Sequence, residues 1–347
     1  MKKVLILGGG VTGIQAALSL AEFNIGSVLV EKSPFLGGKI RGYSKIFPNF
    51  RDGKALMQDL VSEVKKTSLI EAKLETEITS VDEVGGLFNV LLSTGGTLQV
   101  GAIILACGFE TYRPTSKMEY GYNVYPNVVT SPELEVLLDK QGPTMGKLLR
   151  PSDGKEAHKV AIIFCVGSRN KRIGNPYCSR ICCSYSTKQA IEIRENDPES
   201  SVTCFYMDIR TYGRNFEEMY HYAQDLGVKY IRGRVSECTM LADDNIQIRA
   251  ENTLLGKPTQ GIFDLVSLSV GMMPCADSPA LAAMLRIPRG ADGFFQSVDN
   301  ELLPHDTSRK GIFLAGAVTG LKPIKDCLIE SNSVAVRVAS YLLKNKG

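Results

Sequence analysis

The chain has 347 residues, which is enough for two packed domains with sizeable hydrophobic cores. Its net charge of +3 is too small to indicate a nucleic-acid-binding protein, and no run of like charges stands out. No apolar run approaches the length needed to cross a bilayer. We therefore expect a protein that binds no nucleic acid and has no membrane span.

The nine cysteines indicate cofactor or redox chemistry. The apolar run at the amino end contains three consecutive glycines, which argue against a secretory signal. We therefore expect a cytoplasmic protein, whose thiols stay reduced. Cysteines in that compartment are typical of ligands or redox groups, and an odd number fits disulfide pairing poorly.

Residues 3 to 32 have the pattern of one βαβ unit. KVLIL predicts a buried strand, apolar residues at helical spacing follow it, and SVLVEK predicts the second strand. Gly8 allows a tight turn, Gly10 lets the backbone approach a pyrophosphate, and Gly13 permits close packing of helix on strand. Glu31 ends the second strand, where a carboxylate would hold a ribose hydroxyl. This context predicts a dinucleotide site, with the phosphates at the helix start.

Three other segments indicate which dinucleotide binds. Gly37-Gly38 follows the ribose acid in EKSPFLGGK, AIILACG ends at Gly108, and GIFLAGAVTG runs from a strand into a helix. In these features the chain resembles the two-dinucleotide-binding flavoproteins, which include thioredoxin and glutathione reductases. The resemblance implies FAD, although many members carry Asp where this chain has Ala317. The implied FAD site consists of Gly8, Gly10, Val11, Thr12, Gly13, Glu31, Lys32, Gly37, Gly38, Lys39, Ile78, Ala106, Cys107, Gly108, Gly316, Ala317 and Ile324.

A second Rossmann-like pattern lies in the middle of the chain. KVAIIFCVG and SVTCFYMDI predict strands, with a helix over 184 to 196 between them and another over 214 to 226. The connector after the first strand has Gly167 almost alone, so a dinucleotide could not approach its backbone closely. We expect a retained scaffold that has lost nicotinamide binding.

Four cysteines occupy that connector, with the spacing C-x12-C-x3-C-C: Cys165, Cys178, Cys182 and Cys183. A structural zinc site favours C-x-x-C pairs, so adjacent cysteines suit it poorly. A [4Fe–4S] cluster would use all four thiolates, whereas a dithiol centre would use two. The spacing leaves the cluster, a disulfide centre and buried inert thiols open.

The flanking segments carry a more specific resemblance. YGYNVYPNVVTSPELEVLL, KVAIIFCVGSRN and YCSRICC, together with the ending FLAGAVTGLKPIKD, are similar to the A subunit of heterodisulfide reductase. The resemblance implies that Cys165, Cys178, Cys182 and Cys183 bind a [4Fe–4S] cluster beside the flavin. It also implies B- and C-type partner subunits and a homodimer, with residues 111 to 157 as a linking and contact segment.

The expected fold class is α/β, with two Rossmann-like domains of the two-dinucleotide-binding flavoprotein type, the second inserted into the first. Residues 1–110 and 271–347 would bind FAD, and residues 158–270 would carry the cluster. The chain contains no C-x2-C-x2-C-x3-C run, so it resembles the short subunits of sulfur oxidisers. We expect an electron-transfer subunit that neither uses NAD(P)H nor bifurcates electrons. A self-contained flavin disulfide oxidoreductase and a non-catalytic structural flavoprotein are the alternatives.

The remaining features have simpler interpretations. Cys107, Cys204, Cys238, Cys275 and Cys327 lie singly in apolar or mixed runs, where cysteine commonly packs as a small hydrophobe. SPE at residues 131 to 133 predicts a helix start with Ser131 as the N-cap.

Overall fold

A computed structural model describes residues 2–345, which form two compact units. The first unit contains Met1–Arg41, Lys54–Glu110 and Met273–Gly347. The second unit contains Gly42–Gly53 and Thr111–Met272, so residues 111 to 157 lie within it. No helix within residues 2–345 is long and apolar enough to cross a membrane.

The chain contains twenty strands and seven α-helices within residues 2–345, with strands and α-helices alternating from Val128 to Arg232. The strands are β1 (Val4–Leu7), β2 (Ser27–Val30), β3 (Lys45–Ile46), β4 (Arg51–Asp52), β5 (Ile70–Lys73), β6 (Ile78–Val84), β7 (Leu87–Leu92), β8 (Thr97–Val100), β9 (Ala102–Leu105), β10 (Glu110–Thr111), β11 (Val128–Thr130), β12 (Lys159–Val166), β13 (Ser201–Tyr206), β14 (Lys229–Arg232), β15 (Val235–Met240), β16 (Ile246–Asn252), β17 (Lys257–Phe263), β18 (Leu265–Val270), β19 (Met272–Met273) and β20 (Ile312–Leu314). The α-helices are α1 (Val11–Glu22), α2 (Gly53–Lys66), α3 (Ser131–Leu138), α4 (Cys182–Asn196), α5 (Phe216–Asp225), α6 (Ser278–Leu285) and α7 (Ile324–Lys344).

The first unit is built on a parallel sheet with the strand order β20-β9-β1-β2-β5. Strands β1, β2 and β9 are buried at every position, because both faces of a parallel sheet are covered. That requirement explains why VLIL and AIIL read as continuous apolar runs rather than as alternating patterns. A separate antiparallel sheet, β6-β7-β8, completes the unit.

The second unit repeats the architecture with the order β11-β18-β12-β13-β14, again parallel throughout. Strand β12 is buried from Val160 to Val166 and forms the centre of this sheet. An antiparallel sheet, β15-β16-β17, lies in the same unit. Both units therefore begin a βαβ crossover from a central buried strand.

Predicted boundaries differ from the structure at three helices, one of which was expected over 214 to 226 and spans Phe216–Asp225. The helix expected over 184 to 196 begins two residues earlier, at Cys182. Thr130, and not Ser131, is the N-cap of α3, because the Glu133 carboxylate accepts from the Thr130 N–H at 2.6 Å and from its Oγ1 at 2.7 Å. The bond from the Thr130 N–H is one half of a capping box, whose other half is the Glu133 N–H donating to the Thr130 side chain. Thr130 followed three residues later by Glu133 is the sequence pattern of that motif.

Candidate cofactor sites

The crossover from β1 to α1 is a three-residue turn, residues 8 to 10. Gly8 has a φ of +113°, and a Cβ there would lie 2.4 Å from the Ala106 carbonyl oxygen. A Cβ at Gly13 would lie 1.9 Å from the carbonyl oxygen of Gly8. Glycine is therefore required at both positions for the turn and for the packing of α1.

Gly10 differs from its neighbours because the space around it is open. A Cβ at Gly10 would have no atom of the described residues within 4 Å, and its φ is −79°. Nothing within the described residues therefore requires glycine there. Such a position fits a ligand that approaches the backbone at a helix start, as a pyrophosphate does.

Glu31 contacts this turn directly. Its Oε2 accepts from the Gly9 N–H at 2.7 Å, and its Oε1 accepts from the N–H and Oγ of Ser33 at 2.9 and 2.7 Å. The acid that the sequence assigns to the ribose thus also fixes the glycine turn, a role that the sequence motif did not reveal.

The glycine pair lies against the same turn. The Gly37 N–H donates to the Gly9 carbonyl at 2.7 Å. A Cβ at Gly38 would lie 3.1 Å from the Gly10 Cα, and Gly38 has a φ of +54°. The two glycine motifs are far apart in the sequence, but together they form one glycine cradle, residues 8 to 10 with Gly37 and Gly38.

The carboxyl-terminal segment closes the other side of the first crossover. A Cβ at Gly316 would lie 2.3 Å from Thr12 Oγ1, and the Ser331 Oγ donates to the Thr12 carbonyl at 2.9 Å. The Gly316 N–H donates to a Glu330 carboxylate oxygen at 2.8 Å, and Lys322 pairs with the other oxygen at 2.7 Å. An acid thus lies beside Gly316 although Ala317 replaces the usual Asp, and no local pattern predicted it.

The remaining predicted residues of this site all lie in the first unit. Lys32 pairs with Asp277, and the Lys39 ammonium lies 5.4 Å from the centre of the Phe109 ring. Val11, Ile78, Ala106 and Ala317 are buried, Cys107 and Gly108 are half-buried, and Ile324 is the first residue of α7. The open backbone at Gly10, the helix start and the nearby acid fit a dinucleotide cofactor.

The crossover from β12 to α4 is longer, spanning residues 167 to 181. Cys165 has a φ of +62°, a left-handed conformation that is uncommon for a residue with a side chain. The register of β12 against β18 shifts between Ile163 and Val166, which marks an irregularity at this end of the strand. Cys182 and Cys183 are the first two residues of α4. The strand end and the helix start therefore present three of the four predicted ligands.

Cys182 hydrogen-bonds both Cys165 and Cys183. The bond from Cys182 lowers the pKa of Cys165 to about 7, with Arg169 and Arg210 adding to the effect against burial. Cys182 is fully buried and donates to both neighbours, and its pKa is raised well above the ordinary value for those reasons. Hydrogen bonding from Cys182 also lowers the pKa of Cys183, whose thiol lies 3.6 Å from the Asp208 carbonyl oxygen.

Cys178 and Arg169 complete this region. The Cys178 sulfur accepts from the Arg180 N–H at 3.3 Å, and Arg169 interacts electrostatically with both Cys178 and Cys165. Within residues 2–345, the Nη1 of Arg169 and the Oγ of Ser168 are buried without a hydrogen-bond partner. No group of three or more His, Cys, Asp or Glu residues in that range has the arrangement of a metal site. The donor set nevertheless fits an anionic iron–sulfur cluster, because Cys182 hydrogen-bonds Cys165 and Cys183 while the positive charge of Arg169 acts on both Cys165 and Cys178.

Gly167 contrasts with Gly10. A Cβ at Gly167 would lie 2.1 Å from the Tyr112 ring, so that ring already occupies the space beside the glycine. A cleft at this end of β12 and β13 is lined by Cys165, Gly167 and Arg234, among others. The carboxyl ends of parallel strands are where nucleotides bind in such folds, but here an aromatic side chain covers the glycine.

Comparison with known proteins identifies the family. The model of the family described as pyridine nucleotide-disulphide oxidoreductase matches residues 2–339. The chain belongs to this family. It is therefore an oxidoreductase flavoprotein, and its family supports FAD as the cofactor.

Curated relatives of this family member include the A subunits of heterodisulfide reductases. The chain is 34% identical to the A subunit of the H(2):CoB-CoM heterodisulfide,ferredoxin reductase of Methanothermobacter marburgensis, over 99% of this chain and 64% of that protein. It is 35% identical to an iron-sulfur A subunit of the CoB--CoM heterodisulfide reductase of Methanopyrus kandleri, over 98% and 64%. The predicted resemblance is confirmed, and the chain spans 64% of the length of each of these two relatives.

The solved structures that are similar to this family member show its fold. Thioredoxin reductase of Lactococcus lactis has a TM-score of 0.67 at 16% identity, covering 99% of this chain and 100% of that one. Thioredoxin reductase of T. acidophilum has a TM-score of 0.67 at 17% identity, covering 99% of each chain. The predicted α/β class with two Rossmann-like domains is confirmed.

Proposed function

We propose that this protein is an electron-transfer subunit that binds FAD in the first unit and a [4Fe–4S] cluster in the second. The proposed FAD residues are those of the glycine cradle, with Glu31 beside them, and the proposed ligands are Cys165, Cys178, Cys182 and Cys183. The observation that carries the proposal is the position of these thiols. They lie at the crossover from β12 to α4, where a family member that binds a second dinucleotide would have a glycine turn.

The residues of each crossover suit a different kind of group. FAD supplies transfer of one or two electrons when bound, and a cluster supplies transfer of one. In the first unit, Glu31 fixes the turn whose open backbone at Gly10 would meet the pyrophosphate. In the second unit, Arg169 stabilises sulfur in its anionic form, which is the form that ligates iron.

We further propose that NAD(P)H is not the electron donor. The support is the Tyr112 ring, which fills the space at Gly167 that a nicotinamide dinucleotide would need. Gly167 is also the one glycine in residues 165 to 173, so no G-x-G-x-x-G turn is available there.

The same proposal includes a complex. The relatives are named as A subunits, which supports B- and C-type partners that carry the chemistry of a sulfur substrate. We propose sulfur-compound oxidation as the context, a homodimer with residues 111 to 157 as its contact segment, and a cytoplasmic location, where nine free thiols persist. A non-bifurcating role is proposed for residues 1 to 347, which contain no ferredoxin-type cysteine run.

The test is anaerobic purification followed by measurement of flavin, iron and acid-labile sulfide, with a visible and EPR redox titration. We expect about one FAD and about four iron atoms per chain, both reducible by dithionite. NADH, added in excess, is expected to leave the flavin absorbance unchanged. Rapid bleaching by NADH, or two titratable redox thiols in place of iron, would contradict the proposal.

Bifurcation needs a separate measurement on the assembled complex. A two-electron donor would be supplied together with one low-potential and one high-potential one-electron acceptor. We expect a single acceptor to be reduced, whereas simultaneous reduction of both would disprove the non-bifurcating role.

A further inference from the structure

Two cysteines of the first unit lie together although 168 residues separate them in the sequence. Neither belongs to the cysteine loop, which is residues 165 to 183 with the four proposed cluster ligands. Cys107 follows β9, and Cys275 follows β19. The Cys275 thiol donates to the Cys107 carbonyl oxygen at 3.1 Å, and the two thiols also hydrogen-bond each other. The fold therefore assembles a dithiol that no sequence spacing indicates.

The charges around this pair make its two members unequal. A hydrogen bond from Cys107 lowers the pKa of Cys275, and the ammonium groups of Lys32 and Lys39 contribute in the same direction against burial and Glu110. The pKa of Cys107 is raised well above the ordinary value, first by the hydrogen bond to Cys275 and then by burial. Cys275 is therefore the better nucleophile of the two, because the thiolate is the reactive form.

The other single cysteines lack these features. Cys204, Cys238 and Cys327 are buried, and burial raises the pKa of each, to about 12 for Cys238 and about 11 for Cys327. Buried, neutral thiols of this kind are inert. Cys275 is buried as well, but its pKa is lowered, and its partner Cys107 is only partly buried, so one member of the pair reaches the surface of its unit.

We propose that Cys107 and Cys275 form a second redox site of this chain, a dithiol that exchanges with small-molecule disulfides. The Cys275 thiolate attacks one sulfur of the disulfide, forms a mixed disulfide with it and expels the other half as a thiolate. The Cys107 thiol then gives up its proton and attacks the Cys275 sulfur. The pair becomes one intramolecular disulfide, and the small molecule is reduced to two thiols.

The pair lies beside the glycine cradle. None of the four cysteines of the cysteine loop takes part in it. A Cβ at Gly8 would lie 3.0 Å from the Cys107 Cα, so the dithiol borders the glycine turn. The proposal therefore stands even if the loop cysteines bind no cluster. Bound flavin is expected to slow the exchange by limiting access to the pair.

The experiment uses the purified full chain, with its flavin content recorded, and glutathione disulfide as the probe. Free thiols are alkylated at intervals, and non-reducing peptide maps locate glutathione and any cross-link. We expect a peptide that links Cys107 to Cys275, which dithiothreitol reverses. Cys107→Ser is expected to accumulate glutathione on Cys275, and Cys275→Ser is expected to slow modification at this site by about tenfold or more. Cys238→Ser is the control.

Each result of this experiment either supports or contradicts the proposed redox role of Cys107 and Cys275. The cross-link in the unmodified chain supports the proposal even if a variant fails to fold. Glutathione that reaches Cys238 and Cys327 as fast as Cys275, or a site that stays unmodified and unlinked with and without flavin, would overturn it. Iron content plays no part in the readout, so failure here is distinguishable from failure of the cluster.

Discussion

The two strand-to-helix crossovers follow the central strands of two similar parallel sheets, but they present different chemical groups. The crossover from β1 to α1 takes three residues, 8 to 10, and exposes main-chain N–H groups at a helix start. The crossover from β12 to α4 takes residues 167 to 181 and presents thiols at the equivalent strand end and helix start. A parallel sheet places every strand-to-helix loop at its carboxyl edge, so the residues of that loop determine which kind of group fits there.

The helices after the two loops differ in the same way. Helix α1 buries small and apolar residues such as Ile14, Ala17 and Leu20. Helix α4 buries Lys188 and Glu192. Helix α4 also buries apolar residues, Ala190, Ile191 and Ile193, so the second crossover combines apolar packing with a buried charge pairing that α1 lacks. Four predictions test this contrast, from the largest expected effect to the smallest.

The first prediction removes one proposed ligand from the second crossover. Cys178→Ser is expected to reduce iron from about four atoms per chain to nearly none, because a [4Fe–4S] cluster needs a thiolate at each corner. Flavin content is expected to stay unchanged. Colorimetric iron and flavin assays measure both quantities, with Cys238→Ser in β15 as the matched control. Full iron content in Cys178→Ser would remove this residue from the ligand set.

The second prediction concerns the buried charges of α4. The Lys188 ammonium lies 2.6 Å from a Glu135 oxygen and 2.8 Å from a Glu192 oxygen, and all three side chains are less than a tenth exposed. Lys188→Met is expected to lower the free energy of unfolding by about 3–5 kcal/mol, because it leaves two carboxylates buried without a cation. Urea denaturation followed by circular dichroism measures the change.

Two further variants make that result specific. Lys159→Met, at the exposed first residue of β12, is expected to change stability little. Adding Glu135→Gln and Glu192→Gln to Lys188→Met is expected to recover much of the loss. A small effect of Lys188→Met alone would mean that charge pairing contributes little to α4.

The third prediction tests the open position of the first crossover. Gly10→Ala is expected to weaken FAD binding by about tenfold, because its Cβ meets no atom of the described residues within 4 Å but would enter the space proposed for the pyrophosphate. Protein stability is expected to be unchanged. Titration of the flavin-free protein with FAD, followed by flavin fluorescence, measures the affinity.

A second glycine of the same βαβ unit serves as the control. A Cβ at Gly26 would make ordinary contacts, at 3.5 Å from Lys3 and 3.6 Å from Leu69, so Gly26→Ala is expected to bind FAD normally. Equal affinities for the two variants would contradict a close approach of the cofactor to Gly10.

The fourth prediction concerns an ion pair that joins the start of β12 to the end of α4, the two elements that flank the second crossover. His158 precedes β12, Asp197 follows α4, and Nδ1 and Oδ2 lie 2.8 Å apart. The hydrogen bond raises the pKa of His158 above its ordinary 6.5 and lowers the pKa of Asp197 below its ordinary 3.8. Stability from the histidine is complete below pH 6.5 and is lost as pH rises through its raised pKa, while stability from the aspartate is lost as pH falls through its lowered pKa.

The pair is therefore expected to stabilise the protein most between about pH 4 and pH 6.5. Solvent screens both side chains, so Asp197→Asn is expected to cost only a few tenths of a kcal/mol in that window and less at pH 8. Urea denaturation at pH 5.5 and pH 8 measures the difference. A loss that is larger at pH 8 would rule out the assignment of the effect to the protonated histidine.

Most of the elements that could be predicted from the sequence were predicted from local residue patterns. The glycine turn, α1 and β2 follow from neighbouring residues, as do β12 and β13, because periodicity and turn chemistry act over a few residues. The helix start at Thr130 was missed by one position, since Thr and Ser are both good N-cap residues and only the bonds to Glu133 distinguish them.

Long-range contacts were not predictable in the same way. Cys275 beside Cys107, Glu330 at Gly316, and the Tyr112 ring over Gly167 each join segments that local patterns do not relate. No spacing rule connects such residues, because their proximity depends on the complete sheet order. The four loop cysteines are an intermediate case, since their spacing left three interpretations open and a family resemblance favoured one.

The bonds that α7 makes to α1 also set an order of events during synthesis. Ser331 reaches Thr12 across 319 residues, and a ribosome that adds about 5–20 residues per second needs roughly 15 to 60 seconds to make them. Every residue of the second unit has been made by residue 272, before β20 and α7 exist. The cysteine loop can therefore fold on the nascent chain before β20 and α7 are available to complete the dinucleotide site.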